Sequence, residues 1–220
     1  MLLSNRYNFL FVHIAKTGGT SVRAALSPLR WRDPLYYPMW VCHRLSHLTG
    51  HRIATKVPRH ARIVAAQEML PAELFERLFK FAIVRNPWDL QVSSWHHLRR
   101  ERPHLVEGLA DFDAFLRYKL DPERPYQYHI DTSIQLQRDY LVDLHGNLLT
   151  DFVGRYEQLE EDFRTICERI GIAPRSLPHR RRANDRKSDW RSYYSAGTAE
   201  LVAAAFSPDI ETFGYGFDPT

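Results

Sequence analysis

A chain of 220 residues with a hydrophobic fraction of 44% can build a packed core, which argues against an intrinsically disordered protein. Its net charge of +4 indicates an anionic ligand without separating nucleotide, nucleic acid and membrane. Cys42 and Cys167 match no metal or redox spacing, and the apolar run from Phe9 to Ile14 is too short for a membrane span. We therefore expect one cytoplasmic domain over residues 1–220, with no disulfide and no transmembrane segment.

The first predicted unit is a strand, a glycine loop and a helix. Phe9 to Ile14 has the continuous apolar pattern of a strand buried on both faces of a parallel sheet, and Thr20 is predicted to cap the following helix. Glycines between them let the backbone approach a ligand, and the first helical amides point at it. A tight turn with a surface lysine is the alternative interpretation. The predicted phosphate ligands are the ammonium of Lys16, the backbone of Gly18 and Gly19, and the hydroxyls of Thr17, Thr20 and Ser21.

A second unit of the same kind follows a predicted helix after Pro71. Phe81 to Val84 is predicted to be a buried strand. Asn86 is then a favourable N-cap and Pro87 a favourable first helical residue. Arg85, at the end of the strand, carries a planar guanidinium group with several N–H donors, which suits a phosphate. Ser93 follows eight residues later on the helix. This pair predicts a second phosphate site, although an ion pair is the more frequent role of a single arginine.

The remaining chain gives a weaker helical pattern around Phe112 and a short strand from Phe152 to Tyr156. A helix with a strong apolar face follows that strand and is capped by Gly171. Strands that alternate with helices predict an α/β fold with a parallel sheet, in which ligands bind at the carboxyl ends of the strands. Both predicted phosphate sites lie at such ends.

These motifs resemble those of PAPS-dependent sulfotransferases, where PAPS is 3'-phosphoadenosine 5'-phosphosulfate, and especially the carbohydrate sulfotransferase branch (sulfotransferase family 2). Phe11 to Ser21 is similar to the loop that binds the 5'-phosphosulfate, and Phe81 to Asp89 with Ser93 is similar to the 3'-phosphate motif. Two positions depart from the family pattern: Ala15 replaces a proline and Leu90 replaces an arginine. The resemblance continues in Gly154 to Leu159, Leu177 to His179, Tyr193-Tyr194 and Phe213 to Tyr215.

The resemblance implies a P-loop-like three-layer fold, a central parallel sheet flanked by helices, PAPS as donor, PAP as product and no metal. It places Tyr156 against the nucleotide, with core packing as the alternative. It also favours His60 as the base that takes the acceptor proton, outside both phosphate motifs, while His13 belongs to the strand. The alternative bases are His43, His47 and His51. The arginines of residues 180–186 are expected to cover the nucleotide, with no single one chosen.

Two other functions compete with sulfuryl transfer. A P-loop kinase is the first, but its lysine follows the glycines of the loop, whereas Lys16 precedes them. A nucleic-acid-binding protein that uses the arginine run is the second, and it leaves both strand-end loops unexplained. We therefore expect a hydroxyl-bearing acceptor, preferably a carbohydrate or glycan, and no nucleic acid partner. A peptide or small metabolite also fits the sequence, and residues 31–55 and 99–131 are expected to decide the acceptor.

Overall fold

The structure, a computed structural model, describes residues 1–34, 36–49, 58–178, 187 and 189–218. Within these residues, no helix is both long and apolar enough to cross a membrane. The strands are β1 (Leu2–Ser4), β2 (Phe9–Val12), β3 (Phe79–Val84) and β4 (Phe152–Arg155). The helices are α1 (Gly19–Leu26), α2 (Tyr36–Thr49), α3 (Ile63–Met69), α4 (Ala72–Arg77), α5 (Pro87–Glu101), α6 (Phe112–Leu120), α7 (Tyr128–Asp131), α8 (Leu159–Arg169), α9 (Ala196–Ala205) and α10 (Ser207–Phe213).

The described residues form two compact units. The first unit comprises those of Met1–Ile14, Gly18–Ile83 and Tyr140–Arg180. The second comprises those of Ala15–Thr17, Val84–Asp139 and Arg181–Thr220. A single domain over residues 1–220 stays a prediction.

The sheet has the strand order β1-β2-β3-β4. β2 and β3 are parallel, with Val12 opposite Ala82, so both strands end at the same edge. β1 is antiparallel to β2, with Leu2 opposite Phe11. The sheet is therefore mixed, where a purely parallel one was expected, because the three residues of β1 are too few to give a readable pattern. The predicted α/β fold with P-loop-like strand–loop–helix units is confirmed.

The core of the first unit packs the two central strands against helices α1 and α8. All four residues of β2 are buried, which explains its unbroken apolar sequence. The Phe11 and Phe81 rings of the paired strands stack with centroids 5.2 Å apart. Val22 of α1 and Phe163 of α8 are buried in the same cluster. This packing fixes the position at which the loop after β2 begins.

The second unit anchors the start of α5. The Asn86 side chain accepts a hydrogen bond from the Trp88 amide at 3.1 Å, which confirms the predicted cap. The Asn86 amide group donates to the carbonyl of Gly216 at 2.9 Å, and the Tyr194 hydroxyl donates to the carbonyl of Trp88 at 2.7 Å. Tail residues at 194 and 216 therefore hold the helix that begins directly after Arg85.

Candidate active site

The loop after β2 leads directly into α1. The helix begins at Gly19, and Gly18 is its N-cap in the left-handed conformation with φ 80°. The Ser21 amide donates to the Gly18 carbonyl at 2.9 Å. The predicted cap at Thr20 is therefore wrong, because a glycine that adopts positive φ turns the chain two residues earlier and places Thr20 within the first turn. Amides at the start of a helix have no acceptor within the helix, so this end of α1 is suited to an anion.

Neither glycine of the loop leaves room for a side chain. A Cβ on Gly18 would lie 2.9 Å from Cδ2 of Leu159 and 3.0 Å from Cδ2 of Tyr156. A Cβ on Gly19 would overlap the imidazole of His13. The two glycines are therefore packed closely against Leu159, Tyr156 and His13, and these side chains restrict the position of the backbone at the start of α1.

A Gly19→Ala substitution should displace this loop. The added methyl overlaps the His13 ring, so the start of α1 must shift. We expect PAP affinity to fall about tenfold or more, equivalent to about 1.4 kcal/mol or more of binding free energy. Gly197→Ala is the matched control, since a Cβ on Gly197 of α9 meets only an Arg117 nitrogen at 3.7 Å. Calorimetric titration with PAP measures both variants. Unchanged affinity in Gly19→Ala would show that the loop does not hold the nucleotide.

Two histidines and an arginine support the same loop. His60 Nδ1 lies 2.9 Å from the His13 carbonyl oxygen, and the two rings have centroids 4.8 Å apart. Arg59 Nε donates to Nδ1 of His13 at 3.1 Å, and its Nη2 donates to the Thr20 hydroxyl at 3.2 Å. His60 lies outside both motifs in the sequence, as predicted, but it contacts His13, a residue of the first phosphate motif. His13 lies beyond the end of β2, where its carbonyl is available to His60.

These contacts determine the protonation of both rings. A carbonyl oxygen only accepts, so His60 donates through Nδ1–H, and the neutral ring carries its lone pair on Nε2. Burial lowers the pKa of His60 below its usual 6.5, and the Arg59 charge adds to this effect, against the hydrogen bond to His13. Burial, with the neighbouring His60 and Arg59, lowers the pKa of His13 to about 2. At neutral pH His60 is thus an uncharged imidazole, the form that accepts a proton.

In the second unit, Arg85 joins the two phosphate motifs. The residue is 2% exposed. Its Nε and Nη2 lie 2.9 and 2.8 Å from Asp89 Oδ2, so the two side chains form an ion pair at the start of α5. Its Nη1 donates to the Lys16 carbonyl oxygen at 3.0 Å. Lys16 has a positive φ of 67°, unusual for a residue with a side chain, and this turn directs its carbonyl to Arg85.

Two residues that hold the Arg85 backbone were not predicted from the sequence. Gln137 accepts from the Arg85 amide through Oε1 and donates to the Arg85 carbonyl through Nε2, both at 2.8 Å. The buried Asp209 carboxylate accepts from the amides of Gln137 and Arg138 at 2.9 and 2.8 Å. Gln137 lies 52 residues beyond Arg85, and Asp209 lies 72 beyond Gln137, so no local pattern links them. Together they fix the end of β3.

The other predicted residues differ in their surroundings. Thr17 is buried, whereas Ser21 and Ser93 are half-buried. Tyr156 follows β4 and packs against the core of the first unit as well as against Gly18. It therefore has the core-packing role given as the alternative, and its contact with the nucleotide stays a prediction.

Of the alternative bases, His43 is half-buried on α2. The side chain of His47, and all of His51 and residues 180–186, lie outside the described residues.

Comparison with known proteins gives one family. The profile of Sulfotransfer_2, described as the sulfotransferase family, matches residues 1–216. Mouse sulfotransferase SULT7A1 complexed with PAP is a similar solved structure, with 20% identity, 94% of this chain and 85% of that chain covered, and a TM-score of 0.48. No curated protein gives a match. The profile spans nearly the whole chain, so the chain belongs to the sulfotransferase family, and the predicted PAPS-dependent sulfotransferase is confirmed at the level of the family.

Proposed function

We propose that this sulfotransferase transfers the sulfuryl group of PAPS to a hydroxyl of a carbohydrate or glycan. The observation that carries the donor assignment is the 3.0 Å hydrogen bond from Arg85 to the Lys16 carbonyl. It connects the two motifs predicted to bind phosphate, 69 residues apart in the chain. One nucleotide with phosphates at its 5' and 3' positions accounts for both motifs.

The 5'-phosphosulfate is assigned to the loop after β2. The lack of side chains lets Gly18 and Gly19 pack closely against Tyr156 and His13, and the first amides of α1 suit phosphate oxygens. Lys16 adds a positive charge, and the hydroxyls of Thr17, Thr20 and Ser21 complete this set. The 3'-phosphate is assigned to Arg85 and Ser93, and the Asp89 ion pair holds the guanidinium in place.

The proposed transfer is an in-line displacement at sulfur. The acceptor oxygen forms a bond to sulfur while the bond from sulfur to the 5'-phosphate oxygen breaks. Nε2 of His60 takes the hydroxyl proton, a role that its neutral tautomer permits. Lys16 stabilises the negative charge that develops on the leaving phosphate, so PAP and a sulfated acceptor are the products. Positive charge comes from the chain itself, and the proposal includes no metal.

The carbohydrate acceptor is supported by aromatic side chains in the segment predicted to decide the acceptor. Trp31 and Tyr37 are 61% and 58% exposed. The rings of Trp31 and Tyr36 have centroids 5.0 Å apart, and those of Tyr36 and Tyr37 have centroids 5.5 Å apart. Exposed aromatic faces with polar edges suit the alternating apolar and hydroxyl-bearing faces of sugar rings.

An acceptor screen tests this proposal. Purified protein is incubated with sulfur-labelled PAPS and equal amounts of desulfated polysaccharides, phenols and tyrosine peptides, and products are identified by mass spectrometry. We expect label in the saccharides and none when ATP with labelled γ-phosphate replaces PAPS. Transfer to phenols or peptides alone would contradict the carbohydrate assignment and retain sulfuryl transfer. Transfer only from ATP would contradict the donor and favour the kinase alternative.

A further inference from the structure

Arg59 contacts the start of α1 at two points. Its Nε donates to Nδ1 of His13 at 3.1 Å, and its Nη2 donates to the Thr20 hydroxyl at 3.2 Å. Arg59 lies 46 residues after His13 and 39 after Thr20, so the fold brings these three side chains together. All three belong to the first unit. One guanidinium therefore links the residue that follows β2 to the first turn of α1.

The contact with His13 fixes the tautomer and the position of that ring. Nδ1 accepts from Arg59, so the neutral imidazole carries its proton on Nε2. The ring lies against Gly19, because a Cβ on Gly19 would come within 2.5 Å of Nε2. Arg59 therefore holds the His13 ring against the first residue of α1.

The contact with Thr20 determines the direction of its hydroxyl proton. A threonine hydroxyl has one proton and two lone pairs, whereas a guanidinium can only donate. Arg59 therefore occupies a lone pair, and the proton of Thr20 must point to a different acceptor. The described residues offer this proton no acceptor within hydrogen-bond distance. Thr20 is the second residue of α1, at the end of the helix where the first amides suit an anion.

We propose that Arg59 is a positioning residue of the donor site, which orients the Thr20 hydroxyl as a hydrogen-bond donor to the 5'-phosphate of the nucleotide. The inference rests on the proposed function, in which the loop after β2 binds the 5'-phosphosulfate. A hydroxyl that accepts a hydrogen bond from a guanidinium is polarised and becomes a stronger donor, because linked hydrogen bonds strengthen one another. Phosphate oxygens are strong acceptors, so they suit this donor.

Arg59 and His60 are neighbours in the chain with different contacts. His60 reaches the His13 carbonyl at 2.9 Å, whereas Arg59 reaches the His13 ring and Thr20. The two residues should therefore give different results on substitution. Loss of Arg59 should weaken the binding of the 5'-phosphate, and loss of His60 should leave that binding nearly unchanged.

Titration calorimetry with PAP and with adenosine 3'-phosphate, which lacks the 5'-phosphate, tests this role. In Arg59→Met we expect PAP affinity to fall about tenfold, near the lower limit for hydrogen bonds of charged groups, because Arg59 is exposed to water. Adenosine 3'-phosphate should bind as it does to the wild type. Arg59→Lys keeps the charge but replaces the planar group that donates to two residues, so it should recover only part of the loss. Arg77→Met removes another exposed arginine of the first unit and should change neither affinity.

A double-mutant cycle shows whether Arg59 acts through Thr20. Thr20→Val removes the hydroxyl, so in this background Arg59→Met should lower PAP affinity by less than about threefold. Unchanged PAP affinity in Arg59→Met, equal losses for PAP and adenosine 3'-phosphate, or the same loss in both backgrounds would overturn the positioning role and leave the proposed function intact. If the wild type bound PAP no more tightly than adenosine 3'-phosphate, the loop would hold no 5'-phosphate, and both proposals would be overturned.

Discussion

His60→Ala should lower kcat by about 10²- to 10⁴-fold, the usual range for loss of a general base. The wild-type ring is neutral and carries its lone pair on Nε2, because Nδ1–H donates to the His13 carbonyl at 2.9 Å. Alanine removes the proton acceptor and leaves Arg59 bonded to Thr20. PAP affinity should therefore change little. Steady-state kinetics with the acceptor found in the screen, together with PAP titration, measures both quantities.

The pH profile separates a base from a packing residue. The wild-type rate should rise with pH as His60 loses its proton. Because burial lowers the pKa of His60, this rising limb of the pH profile should be centred below the usual histidine pKa of 6.5. His60→Ala should lack the limb. His104→Ala, which removes an exposed histidine, is the control and should keep both rate and limb. Near-normal turnover in His60→Ala would show that His60 is not the base, and the same test would then apply to His43, His47 and His51.

Lys16→Ala should lower kcat by about 10²- to 10³-fold, as expected when one charge-stabilising group is lost from a transition state. The ammonium acts most strongly as negative charge develops on the leaving phosphate, so turnover should fall more than PAP affinity. Alanine retains a Cβ at φ 67° and the carbonyl that accepts from Arg85, so the loop keeps its backbone. Single-turnover kinetics at saturating PAPS gives the rate of transfer directly.

Lys16→Arg provides the matched comparison for this variant. It restores positive charge with a bulkier group, so it should recover PAP affinity more than turnover if the position of the charge matters. The opposite pattern in Lys16→Ala, with weakened PAP binding and unchanged turnover, would make Lys16 an anchor of the nucleotide with no part in transfer.

The sequence predicted those features whose causes are local. Residues 9–12 of β2 and 81–84 of β3 are unbroken apolar runs, and the cap at Asn86 depends on Asn86 and its immediate neighbours. Contacts between distant residues were not predictable in this way: Gln137 holds Arg85 across 52 residues, and His60 reaches the His13 carbonyl across 47.

The affinity of PAP compared with that of AMP tests the donor assignment most directly. The two nucleotides differ by the 3'-phosphate, so Arg85 and Ser93 should make PAP bind about 30- to 1,000-fold more tightly, equivalent to about 2–4 kcal/mol. Arg85→Ala should remove most of this difference, because PAP loses its 3'-phosphate contact whereas AMP loses only the support that Arg85 gives to the Lys16 carbonyl. Titration calorimetry of both nucleotides with both proteins gives the four values. Equal affinities of the wild type for PAP and AMP would contradict the account, since the second motif would then have no 3'-phosphate to bind.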